Sequence, residues 1–487
     1  LHFIKNSIIL RIVRENQTPV RSAAPKTGKK GEIMTGKELV LATFRHEQTE
    51  KPPWVPFAGV HAGKLIGADA TEVYTDQETL DKALLEVHKL YRPDGQTVMF
   101  DLQIEAEALG CDLVWAKNTP ATVTSHPLEG GTEIPDKIPG PGDGRIDLAL
   151  QATRNLKKAV GESTALYGLF CGPFTLASHL RGTRIIMDFK KNPDYLDALI
   201  EYATDVNIAM ARLYAEAGAD VLAPVDPLIS QISPKHFTAH MDAPYKRLFD
   251  EIRKLGKVSS FFVCGDATKN IEVMCKTGPD GISVDENLNL PKTKEVTDQY
   301  NVVLGGNIPL ASVMLFGNQQ DNMKAVFDQL EQVNHHNLIV SPGCDMPYDT
   351  PVENCVGCEQ AVHQPEQTRQ LISGYERADL DIAIELPDYK NLKRPLVEVF
   401  TIDSDTCAAC TYMYRSAMDA KRKYGEGIDV VEYKASESME NIIRAQKMEI
   451  KQLPTIFING ELKWSSIIPS SDALTEEIEK VMKEMGL

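Results

Sequence analysis

Between residues 52 and 345 the chain alternates short β-rich runs with segments of helical period, and this alternation constrains the fold more than any other feature. The eight runs are Trp54-Val-Pro-Phe-Ala-Gly-Val60, Gln96-Thr-Val-Met-Phe-Asp101, Ala165-Leu-Tyr-Gly-Leu-Phe170, Asp220-Val-Leu-Ala-Pro224, Val258-Ser-Ser-Phe-Phe-Val263, Gly281-Ile-Ser-Val284, Val302-Val-Leu-Gly305 and Asn337-Leu-Ile-Val340. Between them lie stretches such as 194–214, whose apolar residues recur at intervals of three and four, as one face of a helix requires. Strict alternation of this kind gives parallel strands joined by crossover helices. Eight units in roughly 300 residues match the size and count of a (β/α)8 TIM barrel. A doubly wound α/β sheet gives a similar alternation, but the placement of polar residues favours the barrel. The runs end in His61, Asp101, Cys171, Asp226, Cys264 with Asp266, Asp285 with Glu286, Asn307 and Cys344. A barrel collects its chemistry at the carboxyl ends of its strands.

Residues 376–392 carry acidic residues and a proline without periodicity and are expected to link the barrel, residues 34–375, to a second α/β domain, residues 393–487. In that second part, Leu396–Ile402, Ile428–Tyr433 and Pro454–Asn459 read as strands, and 411–423, 436–447 and the stretch from Ser471 as helices. Cys407-Ala-Ala-Cys410 falls where the first of these helices opens. A thiolate there is stabilised by the helix dipole and free amides, which makes it a nucleophile or redox centre. Leu453-Pro454-Thr455 resembles the cis-proline loop of thioredoxins, which lies against such a cysteine pair. The resemblance implies a thioredoxin-like domain with Cys407, Cys410 and Pro454 at its redox site.

Composition supports a folded, soluble chain of two domains: 487 residues, 43% hydrophobic and 25% charged. A formal net charge of -17 argues against nucleic-acid binding, which needs a basic face to neutralise phosphate. No stretch of 18 apolar residues exists to span a bilayer. Residues 1–33, rich in Lys and Arg, read as a disordered tail or as translation from upstream of the natural start, since Met34-Thr-Gly-Lys-Glu-Leu-Val opens a good helix. Nine cysteines, an odd and unevenly spaced set, suggest reduced thiols in a cytoplasmic protein.

Two of these cysteines close barrel runs, in Phe261-Phe-Val-Cys264-Gly-Asp266 and Ser341-Pro-Gly-Cys344-Asp345. Zinc takes thiolate and imidazole ligands and, in catalytic sites, keeps one position open for substrate. Two thiols on neighbouring rim positions would supply half of such a site, although two distant cysteines also occur simply as buried thiols. Residues 34–375 resemble the uroporphyrinogen decarboxylase superfamily, and within it the corrinoid-linked methyltransferases that act on methylcobamide and coenzyme M. The matching pieces are Pro52-Pro-Trp-Val-Pro-Phe57, Glu105-Ala-Glu-Ala-Leu-Gly-Cys111, Gly172-Pro-Phe-Thr-Leu176, Glu216-Ala-Gly-Ala-Asp220, Cys264-Gly265, Leu304-Gly-Gly-Asn307 and Pro342-Gly-Cys344-Asp345. In those enzymes a His-x-Cys and a distant Cys bind the zinc that activates the acceptor thiol. The resemblance carries Cys264 and Cys344 onto the thiolate ligands, but Phe262 stands where the histidine is expected.

Another group must then complete a metal site, with His61, Asp226 and Asp285 as candidates and His61 the best donor chemically. His61 and Asn307 are also candidates for cofactor contact, and Asp226 and Asp285 for catalysis. The resemblance further implies a corrinoid, methylcobamide, carried by a partner protein, because no Asp-x-His-x-x-Gly cobalamin motif is present. The small substrate is a thiol or another methylated compound, and a homo-oligomer is compatible with the family. Alternatives are a thiol-disulfide oxidoreductase using the barrel as a platform, a uroporphyrinogen decarboxylase-like enzyme lacking its Arg-bearing N-terminal motif, and a non-catalytic subunit that lost zinc with the histidine. Cys355-Val-Gly-Cys358, with His363 nearby, is expected to pack within a helix or to form a thiol relay or metal clip beside Cys344.

Overall fold

Helix Gly36–Phe44 is started locally: Thr35 accepts the Glu38 N–H and the Glu38 carboxylate accepts the Thr35 N–H, a capping box. The computed structural model describes residues 34–131, 133–377, 383–404, 408–450 and 452–487. The N-terminal tail, Cys407 and residues 378–382 of the expected linker lie outside the described residues. Among the described residues no helix is long and apolar enough to cross a membrane.

Seven strands form one parallel, curled sheet: β1 (Gly95–Thr97), β4 (Ala165–Cys171), β5 (Val221–Val225), β6 (Val258–Val263), β7 (Gly281–Val284), β8 (Val303–Ile308) and β9 (Leu338–Pro342), in that spatial order. A small hairpin of β2 (Leu113–Val114) and β3 (Thr122–Val123) stands apart. The first β-rich run is not a regular strand, because Pro52, Pro53 and Pro56 lack the N–H a ladder needs. It still reaches both edges of the sheet. Val55 N donates to Val340 O at 3.0 Å and Val340 N to Pro53 O at 2.9 Å, while Asp94 N donates to Trp54 O at 2.9 Å. The run therefore acts as an eighth stave, giving a TIM-barrel-like ring.

Alternation along the staves sorts side chains into two layers. Val55, Phe57, Tyr167, Leu169, Val221, Ala223, Phe262 and Ile339 fill the interior, with Val40 and Phe44 of the first helix among them. Their neighbours, Leu166, Phe170, Leu222, Phe261, Leu304 and Val340, pack outward against the helices. The closing stave is secured from its side by Asp94, which accepts Trp54 N at 2.8 Å and pairs with His363 Nε2 at 2.9 Å. His363 Nδ1 in turn meets Glu359 at 2.9 Å. This ties helix Val352–His363 to the first stave.

The C-terminal domain has its own mixed sheet in the order β11-β10-β12-β13: β10 (Leu396–Thr401), β11 (Asp429–Lys434), β12 (Thr455–Ile458) and β13 (Glu461–Ser465). β10 runs parallel to β11 and antiparallel to β12, and β13 is antiparallel to β12. Three strands and helices Ala408–Tyr424, Met439–Lys447 and Ser471–Glu484 fall where the sequence places them. β13 was not expected, although Asn459-Gly460 announces it: both residues hold positive φ, 52° and 78°, the geometry of a two-residue hairpin turn. Met413, Ala417, Leu474 and Ile478 pack on Val397, Val399, Ile456 and Ile458 to form a separate core.

Two outcomes follow for the Asp94 clasp. Asp94→Ala is expected to lower unfolding free energy by about 2–4 kcal/mol, since it orphans a buried N–H and an ionic partner; denaturant titration measures it. Burial opposes the charged ring of His363, but its bonds to Asp94 and Glu359 prevail and raise its pKa. A raised folded pKa means this stabilisation is full below about pH 6.5, the ordinary histidine value, and is lost as pH rises through the folded value. His363→Gln should flatten that part of the stability profile.

Candidate active site

The mouth of the barrel is built from loops that enter it after β6, β7 and β9 and from the loop after the closing stave. Cys264 follows β6 and Cys344 follows β9. The expectation of neighbouring rim positions is not met, because β7 and β8 lie between these strands. The thiols nevertheless meet within hydrogen-bonding reach, Cys264 in the interior cluster of the barrel and Cys344 packed against it. Two glycines make this possible. Gly265 holds φ +83°, and a Cβ there would lie 2.7 Å from Ser230 Oγ; at Gly343 it would lie 2.4 Å from Glu286 Oε2 and 3.0 Å from Glu286 N.

Buried carboxyl groups pin the same loops. Asp285 accepts the Gly265 N–H in a very short bond and the Asn287 N–H at 2.9 Å. Asp345 accepts the Gly59 N–H at 2.7 Å, joining the Cys344 loop to the closing stave. Asn307 donates to the carbonyls of Asp285 at 2.9 Å and Leu288 at 3.0 Å, so it braces the β7 loop. Burial pushes Asp285 up to about 6 and Asp345 up to about 8. Glu286 rises to about 8, from burial first and the Asp285 charge second. For Cys344 the Cys264 hydrogen bond favours the thiolate, yet burial and the charges of Asp345 and Asp285 win and raise the thiol pKa.

Cys264, Asp285, Cys344 and Asp345 line a cavity of about 210 Å³, whose other walls are mainly apolar and include Phe100 and Met346. Ile402, Asp403 and Ser436 of the C-terminal domain also line it. That domain is anchored beside the mouth by Tyr412, whose hydroxyl bonds Ser178 Oγ, by Arg415 Nη1 to His126 Nε2 at 3.1 Å, and by Gln452 to Asp266. Tyr412 packs into the barrel's outer core. Sequence reasoning missed Tyr412, for which spacing gives no signal, and assigned no role to Asp345 or Glu286.

Several expected site residues have other work. His61 is fully buried: Nδ1 donates to Tyr348 O at 3.0 Å and Nε2 accepts from Tyr91 Oη at 2.6 Å. Burial lowers its pKa to about 4, so the ring is neutral with no lone pair free for metal or cofactor. Asp226 accepts Phe174 N at 2.8 Å, Thr175 N at 3.0 Å, Thr175 Oγ1 at 2.6 Å and the Tyr245 hydroxyl, which makes it the acceptor for the start of helix Pro173–Arg181 rather than a cavity group. Cys355 and Cys358 are buried in helix Val352–His363, with Cys355 directed at Met346 Sδ and Cys358 at Asn322, the packing arrangement. Cys410 is buried in the first turn of helix Ala408–Tyr424, and the Leu453–Pro454 peptide just before β12 is cis.

The donor set falls short of a zinc site. Among the described residues no three His, Cys, Asp or Glu side chains converge as a metal-holding group. Phe262 instead is buried and packs edge-on against Phe57 and Phe100, with centroids 5.0 and 5.6 Å apart.

The family pattern for uroporphyrinogen decarboxylase (URO-D) matches residues 35–365. A methylcobamide:CoM methyltransferase of Methanosarcina acetivorans is 28% identical over 330 residues, covering 66% of this chain and 95% of that one. A uroporphyrinogen decarboxylase of Wolbachia sp. subsp. Brugia malayi is 27% identical over 271 residues, covering 54% and 74% respectively. A solved methyltransferase from Methanosarcina mazei superposes with a TM-score of 0.62 at 27% identity, over 68% of this chain and 99% of the other.

Phe262→His places an imidazole two residues before Cys264. It is expected to raise the zinc retained after dialysis toward about one ion per chain while costing roughly 1–3 kcal/mol of stability for the polar ring in an apolar plug. Metal analysis and denaturation of the purified variant read both.

Proposed function

This chain belongs to the uroporphyrinogen decarboxylase family, and we propose that it transfers a methyl group between a corrinoid and a small thiol at the barrel mouth. The observation that carries the reading is the meeting of Cys264 and Cys344 inside a small, largely apolar cavity. Relatives named as methylcobamide:CoM methyltransferases give the substrate class. Sulfur displaces a methyl group in line and as the thiolate, so the site must hold a small thiol in register and keep water away. The cavity volume suits a molecule of a few heavy atoms. A corrin ring is larger than this cavity, so it would approach from outside, carried on a partner protein. Decarboxylation of uroporphyrinogen would leave the paired thiols without a role.

Zinc belongs to the family expectation, but two thiols and an apolar Phe262 do not complete its ligand set, and no step here depends on it. Within the chain itself, Asp285 and Asp345 hold the two cysteine loops at the cavity through their bonds to Gly265 and Gly59. Either direction of methyl transfer would use this same surface.

The C-terminal domain we read as thioredoxin-like, with Cys407 and Cys410 as its dithiol. Support comes from the β11-β10-β12-β13 order, the helix that opens beside Cys410, and Pro454 entering β12.

Purified protein should demethylate methylcobalamin in the presence of coenzyme M or a related small thiol, followed by the cobalamin spectrum. Cys264→Ser and Cys344→Ser should each slow it by at least about tenfold, or about 1.4 kcal/mol. Wild-type protein that neither demethylates methylcobalamin with any small thiol nor methylates cob(I)alamin would overturn the reading.

A further inference from the structure

We propose that the small substrate taken up beside Cys264 and Cys344 is an aminothiol or its S-methyl form, a molecule bearing a positive charge, and that anionic thiols are excluded. The inference deepens the methyl-transfer reading and rests on it.

The composition of the cavity wall carries it. Asp285, Asp345, Asp349 and Asp403 stand in that wall, and among the described residues no lysine, arginine or histidine does. The lysines paired with two of these acids stay out of it. Lys64 Nζ donates to the Asp349 carbonyl at 2.7 Å and lies 3.4 Å from its Oδ1, and Lys434 Nζ lies 3.3 Å from Asp403 Oδ1. The hydrogen-bonding balance points the same way. Donors of the wall are directed at protein acceptors: Ser436 Oγ at Asp403 Oδ2 at 2.8 Å, Tyr348 Oη at Ala68 O at 2.9 Å and Asn118 Nδ2 at Asp349 Oδ2 at 3.3 Å. Two wall oxygens, Gln103 Oε1 and Thr119 Oγ1, are buried with no partner among the described residues. An ammonium brings three donors and no acceptor, whereas an ionised sulfonate or carboxylate only accepts.

A cavity of about 210 Å³ leaves a small thiol no distance between its ends, so its second functional group lies within the field of these acids. Charges a few ångströms apart in a partly desolvated site interact by several times the thermal energy. Burial pushes Asp285 up to about 6 and Asp345 up to about 8. A cation beside them favours their ionised forms, while an anion drives their protons on more firmly and meets no counter-charge. The formal net charge of -17 adds to the bias at long range. Asp403 enters the wall from the C-terminal domain, so that domain takes part in selecting the substrate. In the transfer itself the sulfur gives up its proton to solvent and forms the new S–C bond with its electron pair. The carbon–cobalt pair stays with the corrinoid, and the ammonium is untouched.

The test follows methylcobalamin demethylation by the full-length chain with three thiols of similar size: cysteamine with its ammonium, mercaptoethanol with its hydroxyl and coenzyme M with its sulfonate, each referred to its own thiolate concentration. kcat/KM should fall in that order, with cysteamine above coenzyme M by at least about tenfold. Asp403→Asn should shrink that ratio several-fold, and Ser436→Lys, which puts a cation into the wall, should shift it toward coenzyme M. Wild-type protein that uses coenzyme M as well as cysteamine or better overturns the inference and leaves the methyl-transfer reading standing. A cysteamine preference that neither variant moves also overturns it, because the charge is then read elsewhere. No turnover with any of the three thiols and no methylation of cob(I)alamin overturns both. If a variant fails to fold, inhibition of wild-type turnover of mercaptoethanol decides: ethylammonium should compete and ethanesulfonate should not, and the reverse overturns the inference.

Discussion

The hydrogen-bonded closure of the sheet at Pro53, Trp54 and Val55 is the contact on which the remaining geometry depends. One short segment, interrupted by prolines, bonds to β9 on one side and to the approach to β1 on the other. Proline is poorly suited to a ladder, yet this stave needs only a few bonds, since Asp94 takes up the Trp54 N–H from the side. Closing the ring separates an interior from an exterior, and only then do Phe57, Phe100 and Phe262 face one another. It also brings Gly59 to Asp345, so the closure and the position of the Cys344 loop are parts of one arrangement.

Within that frame, the buried carboxyl groups act mainly as anchors. Asp226 collects the free N–H groups at the start of a helix, Asp285 collects those of the β6 and β7 loops, and Asp345 collects that of Gly59. Irregular loops that fold inward leave N–H groups without ladder partners, and a carboxylate can accept several at once. The desolvation this entails shows in Asp285, Asp345 and Glu286, all raised toward or beyond neutrality. Crowding several acids into one mouth is tolerable because their protons relieve the repulsion.

The strand and helix alternation was legible because period and position are local properties, and the eight staves lie where the runs placed them. Where one stave turned irregular, the reason was also in the sequence, as Pro52, Pro53 and Pro56. The strand β13 was missed although Asn459-Gly460 marks its turn. Side-chain roles were less legible. His61 is chemically a good ligand, but only the folded chain shows Tyr348 and Tyr91 occupying both ring nitrogens. Asp226 and Asn307 stand at strand ends as active-site residues do, and a sequence cannot distinguish a group facing substrate from one facing a backbone N–H or carbonyl. Cys264 and Cys344 do stand at the mouth, for a reason that linear spacing could not supply: their meeting depends on two inward loops and on the room left by Gly265 and Gly343.

Phe262 determines how the site should be understood. A histidine at that position would point from β6 toward the same interior, next to the thiols, and would add a basic donor to a mouth otherwise rich in acids. Phenylalanine instead completes a buried aromatic cluster with Phe57 and Phe100. The thiols above it face a low-dielectric wall, neighbouring carboxyl groups and each other. Burial and those carboxyl groups keep the Cys344 thiol protonated beyond its ordinary range, which suppresses indiscriminate nucleophilic reactivity. With Cys344 disfavoured as thiolate, the site reacts only with a specific visitor, a small substrate admitted to the cavity. The C-terminal domain forms part of the wall of that cavity and is held to the barrel through Tyr412, Arg415 and Gln452, so the shape a visitor meets is set by both domains.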